Sequence, residues 1–266
     1  MNLVALVLTA FVEAVAEVLP IDRSGHELLL GTLTGLHAQG VAAAELRIGA
    51  ALALAVVLWR DLAAVGSGLW RLRKLRIEPG TLLLARALAA SLPWLAATAW
   101  RPPVPALPGG LWLAGAITVV VAVATIGIDR QSLTVRRLDH LGLGHCLLVG
   151  VVQLLALVPG VGRTVAAFAA GRALGLERPA ALQLALQVSL PVLLAQAGAG
   201  LGQVRAQAWH PGYGDIENLL AAFVLTLAAA GLAQRWARRA AMANFAFYRV
   251  AIGAALLAAA ALGWRG

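Results

Sequence analysis

Six stretches of the chain stay apolar for long enough to cross a bilayer: about 41–59, 82–100, 107–128, 181–199, 218–234 and 246–264. Each is near the ~17–25 residues that a membrane-spanning helix needs. Two more apolar regions, about 3–36 and 141–176, are interrupted by polar residues, glycine and proline. An interrupted helix is tolerated at membrane depth only where protein or a cavity surrounds the break. Both regions therefore read as helix–turn–helix hairpins that enter the membrane and return to the same side. The predicted fold class is an all-α polytopic membrane protein.

The pattern also predicts an internal repeat. A shift of 140 residues superposes Val12 on Val152, Glu13 on Gln153, Ala16 on Ala156 and Val18 on Val158. The register continues through Ile21 on Val161, Arg23 on Arg163, Ser24 on Thr164, Gly31 on Gly171, and Gly35-Leu36 on Gly175-Leu176. Chance identity among small apolar residues is high, so the ordered Arg-Ser/Arg-Thr and Glu/Gln matches carry the weight. Residues 1–138 then form a first repeat (re-entrant hairpin 1–37 and three spans) and 139–266 a second (hairpin 141–176 and three spans), together one membrane domain. Three spans is an odd number, so the second half is expected upside down. Inverted repeats whose broken helices meet near the midplane are a transporter-type architecture.

Charge orients this scheme. Arg60, Arg71, Arg73, Lys74 and Arg76 lie in the connection 60–80, Arg130, Arg136 and Arg137 in 129–140, and Arg235, Arg238 and Arg239 in 235–245. All three connections fall on one side, which the positive-inside rule makes cytoplasmic. The opposite connections, 101–106 and 200–217, carry only Arg101 and Arg205. Both termini are then expected to be external, and the two hairpins enter from opposite sides, so their tips can meet inside the protein.

Composition agrees: the 266 residues are 61% hydrophobic and 12% charged, against about 25% charged in soluble domains. The net charge of +9 raises the question of a nucleic-acid partner. The basic residues sit between apolar spans instead of on a soluble face, so no nucleic acid is expected. No cleavable signal stands out, because the first apolar run lacks a basic start and contains two glutamates. The single Cys146 excludes an intramolecular disulfide and reads as a buried small residue. Trp59, Trp70, Trp100, Trp112 and Trp264 lie near span ends, as interfacial belt residues do.

The chemistry concentrates at the two hairpin tips. Glu13, Glu17, Asp22, Arg23 and His26 fall within fourteen residues of the first. A charge near the bilayer centre costs at least ~2.5–3.5 kcal/mol, so such a cluster needs partners, water or a ligand. Glu13 and Glu17 are four apart and share one helix face, and Pro20 and Gly25 break the helix beside them. The second tip carries Gln153, Pro159, Gly160, Gly162, Arg163 and Thr164. Its glycine turn can offer free N–H groups to an anion, with Arg163 as a planar clamp. Arginines, a helix N-terminus, and carboxylates able to hold a divalent cation (Glu13, Glu17 and Asp22) suit a phosphate or diphosphate. Membrane depth makes its owner a lipid, and the protein a phospholipid-handling enzyme or transporter. A plainer alternative pairs Glu13 and Glu17 with Arg23 and Arg163 as structural ion pairs. His37, His140, His145 and His210 form no ligand cluster.

The run Glu13-x-x-x-Glu17-x-Leu-Pro-x-x-x-Ser-Gly-His26 resembles the first signature of the undecaprenyl-pyrophosphate phosphatase family. Gln153-x-x-Ala-x-x-Pro159-Gly160-x-x-Arg163 resembles the second. Trp59-Arg60-Asp61-Leu62, Gly175-Leu176-Glu177-Arg178, Pro191 and Phe245-Ala-Phe-Tyr248-Arg249-Val-Ala-Ile-Gly253 follow in family-like order. The resemblance implies a bacterial inner-membrane enzyme that removes one phosphate from undecaprenyl diphosphate, recycles the carrier for cell-wall synthesis, and depends on a divalent cation, Mg or Ca. Its implied partners are the bilayer and a polyprenyl-diphosphate lipid, and it leaves room for a homodimer.

Glu13, Glu17, His26 and Arg163 stand at matching motif positions. The first turn departs: the family usually reads Pro-Val-Ser-Ser-Thr-Gly-His, and this chain reads Pro20-Ile-Asp22-Arg23-Ser24-Gly25-His26. Arg23 thus replaces the serine often proposed as nucleophile. Three mechanisms stay open. Ser24 acts as nucleophile with His26 as base; or Glu17 activates water while a cation on Glu13 and Asp22 polarises the phosphate; or hydrolysis is lost and the tips only bind or move a lipid phosphate. Arg23, Gly160, Gly162, Thr164 and Gln153 are the expected substrate-binding residues.

Overall fold

In the computed structural model the described residues are 3–38, 40–100, 110–205, 212–239 and 243–264. The chain starts with α1 (Leu3–Ala10), which passes through a π-helical turn (Phe11–Val15) into the single-turn α2 (Ala16–Val18). After a break at 19–22 come α3 (Arg23–Thr34), α4 (Gly40–Val57), α5 (Trp59–Leu72), α6 (Pro79–Trp100) and α7 (Gly110–Gln131). A second interrupted segment follows: α8 (Leu143–Gln153), a 3-10 turn (Leu154–Leu157), a break at 158–162 and α9 (Arg163–Ala173). Then come α10 (Arg178–Arg205), α11 (Tyr213–Arg239) and α12 (Ala243–Ala261).

α4, α6, α7, α10, α11 and α12 are long and apolar enough to cross a membrane, and they fall on the six predicted stretches. The protein is therefore an all-helical, multi-pass membrane protein. The expected first residues of the third span, 107–109, and Arg101 and His210 lie outside the described residues. Val120, Val123, Leu88, Leu92, Leu194 and Val224 point outward and exposed, as lipid-facing side chains should.

Lipid tails are as apolar as leucine, so helices in a bilayer associate through close contact of small residues. A Cβ on Gly115 would lie 2.9 Å from the Gly253 carbonyl, and one on Gly253 2.9 Å from the Gly115 carbonyl, so these two glycines let α7 and α12 touch backbone to backbone. Gly49 does the same for α4 against α11, where a Cβ would run into the Leu219 carbonyl. The larger buried apolar cluster includes Ala14, Val18, Leu46, Leu54, Phe168, Leu182 and Leu186. A smaller one joins Leu111, Ala114, Leu256 and Ala259.

One stretch differs from expectation. Residues 60–80 read as a basic loop, yet most of them form α5, a 14-residue helix. Its apolar residues Leu62, Leu69, Trp70 and Leu72 remain exposed, and Arg60 and Arg73 lie over the rings of Trp59 and Trp70. An amphipathic helix of this kind suits the membrane interface, and at 14 residues it is too short to span. Asp61 ties it to α10 by accepting from Gln183 and Gln187 at 2.6 and 2.8 Å.

Both breaks follow from local sequence. Leu19 is extended, the conformation that a following proline imposes, and Pro20 is that proline. Asp22 then caps α3, accepting from the Ser24 and Gly25 N–H groups at 3.2 and 2.7 Å, as N-cap aspartates do. At the second break Val158 is likewise extended before Pro159. Gly160 (φ +97°) and Gly162 (φ +77°) hold left-handed conformations that a side chain would strain.

Candidate functional site

The two breaks face each other. The Gly160 N–H donates to Ser24 Oγ at 3.1 Å, and Thr164 Oγ1 donates to the Glu17 carbonyl at 2.5 Å. A Cβ on Gly162 would meet the Ile21 carbonyl at 2.9 Å, so the contact requires glycine there. The N-termini of α3 and α9 consequently open beside one another, with Ser24 and Arg163 in their first turns.

An ion-pair lattice holds the tips together. Arg23 Nη2 stands 2.9 Å from Glu13 Oε1, and its Nη1 3.2 Å from Glu17 Oε1. The second oxygen of each glutamate is also engaged: Arg47 Nη2 is 3.3 Å from Glu13 Oε2, and Arg163 Nη2 2.6 Å from Glu17 Oε2. Glu27, on the outer side, is 3.7 Å from Arg23. Glu13 and Glu17 are nearly excluded from solvent, whereas Arg23 is about one-fifth exposed. Arg163 is backed by Ser189 Oγ at 3.4 Å and by the Trp94 ring. The structural pairing of Glu13 and Glu17 with Arg23 and Arg163 is thus present, and it borders an open space. A cleft of about 180 Å³ is lined by Glu17, Asp22, Arg23, Ser24, Trp94 and Arg163.

Ser24 is partly exposed and also lines a second cleft of about 430 Å³, with Glu27, Thr32, His37 and Pro159. Its hydroxyl donates to Asp22 Oδ1 at 2.8 Å. His26 does not reach it. The imidazole Nδ1 is bonded to the Asp22 carbonyl and Nε2 to the Tyr248 hydroxyl at 2.7 Å. The expected Ser24–His26 pair is replaced by Ser24–Asp22, because His26 is one turn into α3 and faces α12. There Arg249 Nη2 donates to the Gly160 and Val161 carbonyls at 2.6 and 3.1 Å, clamping the second break from behind.

Of the residues expected to act on substrate, Glu17, Asp22, Arg23, Ser24, Gly162 and Arg163 share the smaller cleft. Glu13 and His26 stand directly behind it. Thr164 is buried and spends its hydroxyl on Glu17. Gln153 is fully buried and donates to the Ala90 carbonyl at 2.9 Å, joining α8 to α6, and it does not line the cleft. The expectation missed Arg47, although an arginine inside an apolar span is itself a signal. It also missed Tyr248 and Arg249, which stood in a family-like run without an assigned role, and Trp94, which apolar composition alone does not single out.

The donor set can be tested against a divalent cation. Asp22 is occupied by two N–H groups and a hydroxyl. All four oxygens of Glu13 and Glu17 are held by guanidinium groups. Among the described residues no group of three or more His, Cys, Asp or Glu side chains is arranged to hold a metal ion. This arrangement does not fit a bound divalent cation.

The chain matches the family model described as "Bacitracin resistance protein BacA" over residues 6–255. Among curated proteins it is 35% identical to "Undecaprenyl-diphosphatase 1" of Rhodospirillum rubrum, over 99% of this chain and 97% of that protein. It is 32% identical to "Undecaprenyl-diphosphatase 1" of Paramagnetospirillum magneticum, over 97% of each. Identity to "Undecaprenyl-diphosphatase" of Roseobacter denitrificans is 31%, over 97% of this chain and 98% of that one. With the paired motifs on two facing helix breaks and full-length relatives of this kind, the chain belongs to the BacA family of bacitracin resistance proteins.

Proposed function

We propose that this chain is an undecaprenyl-diphosphatase of the bacterial inner membrane, which releases one phosphate from the lipid diphosphate. The observation that carries this is the convergence of a partly exposed Ser24, Arg23 and Arg163 in one cleft between two helix N-termini. Helix N-termini and arginine forks both favour phosphate. The names of the relatives supply the lipid. A mostly apolar groove of about 290 Å³ lined by Phe11, Leu19, Ile21, Trp236, Phe245 and Tyr248 offers its isoprenoid chain a path beside the first break.

The residues present divide the chemistry as follows. Ser24 Oγ attacks the terminal phosphorus as its proton passes to Asp22 Oδ1, the acceptor it already faces. The new Oγ–P bond forms as the bond from that phosphorus to the bridging oxygen breaks, and the lipid monophosphate leaves. Water then attacks the phosphoserine, releasing inorganic phosphate and restoring the hydroxyl. Arg163 and Arg23 stabilise the equatorial oxygens, where phosphoryl transfer concentrates charge. Glu13 and Glu17 orient the arginines. Arg249 and the His26–Tyr248 pair hold the breaks in register.

We also infer the inverted repeat, with two re-entrant hairpins, basic connections in the cytoplasm and external termini. It is supported by α3 and α9 starting 140 residues apart at Arg23 and Arg163, and by Gly35 and Gly175, also 140 apart, both being left-handed at the ends of these helices.

Arg23 on both glutamates favours a second reading, in which the cleft binds or moves a lipid phosphate without cleaving it. Phosphate release from undecaprenyl diphosphate by the purified protein decides between them. Release above background supports the hydrolase; tight lipid binding without release supports the second reading.

A further inference from the structure

Carboxylates from two helical segments flank one guanidinium. Arg23 meets Glu13 at 2.9 Å, Glu17 at 3.2 Å and Glu27 at 3.7 Å. A Mg or Ca ion takes carboxylate oxygens as ligands at about 2.0–2.6 Å, and the two buried ones here, Glu13 Oε1 and Glu17 Oε1, are each taken by a nitrogen of Arg23 instead. A guanidinium nitrogen 2.9 Å from Glu13 Oε1 leaves no room for such an ion and repels it. The far oxygens of Glu13 and Glu17 are held by Arg47 and Arg163, so neither carboxylate can turn to form a site on its other side. Asp22 is engaged as the cap of α3. Meanwhile Arg23 lines the cleft beside Ser24 and Arg163 and keeps about one-fifth of its side chain exposed. It is thus both bound by the carboxylates and available to a phosphate.

We propose that the Arg23 guanidinium does in this protein what a divalent cation would do beside these carboxylates: it neutralises Glu13 and Glu17 and presents positive charge to the phosphate, so that no metal is required. This rests on the reading of the cleft as a phosphate site. An arginine suits the exchange because it stays charged and its planar fork matches phosphate oxygens. The residue that departs from the family's first turn is then a replacement for a cofactor, and Ser24, one position on, supplies the hydroxyl.

The test is calorimetric titration of CaCl2 and MgCl2 into detergent-solubilised protein that has been stripped with chelator, followed by elemental analysis. The wild type is expected to show no stoichiometric binding, and its phosphate release to be unchanged by EDTA. Arg23→Ser is expected to gain a saturable cation site that Glu13→Gln removes, and to release phosphate only with added cation. Arg23→Lys, which keeps the charge, is expected to stay metal-free, and it serves if the serine variant fails to fold. Stoichiometric binding to the wild type that is lost in Glu13→Gln, EDTA-sensitive release by the wild type, or a folded Arg23→Ser that binds no cation would each overturn the proposal. If the wild type releases phosphate under no condition, the hydrolase assignment falls, and the titrations still decide the role of Arg23.

Discussion

Arg163 and Glu17 lie 146 residues apart in sequence and 2.6 Å apart in space, with both side chains nearly excluded from solvent. One belongs to the second helix break and the other to the first. Their pairing therefore fixes the distance between the two halves of the cleft, and Thr164 doubles the link through the Glu17 carbonyl.

Removing Arg163 strips the cation from Glu17 Oε2 and leaves Arg23 alone on Oε1, so the cost is expected at or below the about 3–5 kcal/mol of breaking a buried pair outright. Arg163→Ala is expected to lower the thermal unfolding midpoint in detergent and, because Arg163 also faces the cleft, to slow phosphate release by about 10²-fold or more. Arg163→Lys keeps a charge but loses the fork, so it should recover stability more fully than turnover. Paired unfolding and phosphate-release assays of the two variants check this.

Asp22 separates capping from chemistry. Asparagine also caps helices, so Asp22→Asn is expected to unfold within a few degrees of the wild type. It removes the acceptor of the Ser24 proton, and loss of such a base slows turnover by about 10²–10⁴-fold. A variant that unfolds like wild type and turns over like wild type would remove Asp22 from the mechanism.

Gly160 and Gly162 carry the second break in left-handed conformations. A Cβ on Gly160 would stand 2.6 Å from the Ala114 carbonyl and 2.9 Å from the Thr118 nitrogen. Gly160→Ala therefore combines backbone strain of about 1–2 kcal/mol with a clash against α7 that cannot flex away. The expected outcome is a markedly lower unfolding midpoint and loss of phosphate release, measured on the same preparation.

Gln153 gives a contrasting case. Its amide joins α8 to α6 and does not reach the cleft. Gln153→Met should cost about 1 kcal/mol, the worth of an ordinary hydrogen bond, and leave KM for the lipid unchanged. A large rise in KM would return Gln153 to the substrate site, where its motif position had put it.

The spans and breaks were legible because they depend on local properties. Twenty apolar residues, a proline after Leu19 or Val158, and charges at membrane depth each have one physical meaning wherever the rest of the chain lies. Individual partners were less legible. Asp22 reads as a metal ligand until its oxygens are seen to cap α3, and His26 reads as a base for Ser24 until its ring is seen to face Tyr248. Arg47 joins Glu13 from a different helix; its place in an apolar span signals a role, and its partner depends on how α4 packs. α5 is hard to tell from loop in the sequence because a short, exposed amphipathic helix has the mixed polar and apolar pattern of a basic connection.

The central claim, that the facing helix breaks form one hydrolytic cleft with Ser24 as its reacting group, is tested most directly with Ser24→Ala. Phosphate release from undecaprenyl diphosphate and lipid binding should be measured on the same purified, folded variant. The expected result is loss of release with binding retained, against robust release by the wild type. Full release by Ser24→Ala would contradict it and leave attack by water as the mechanism.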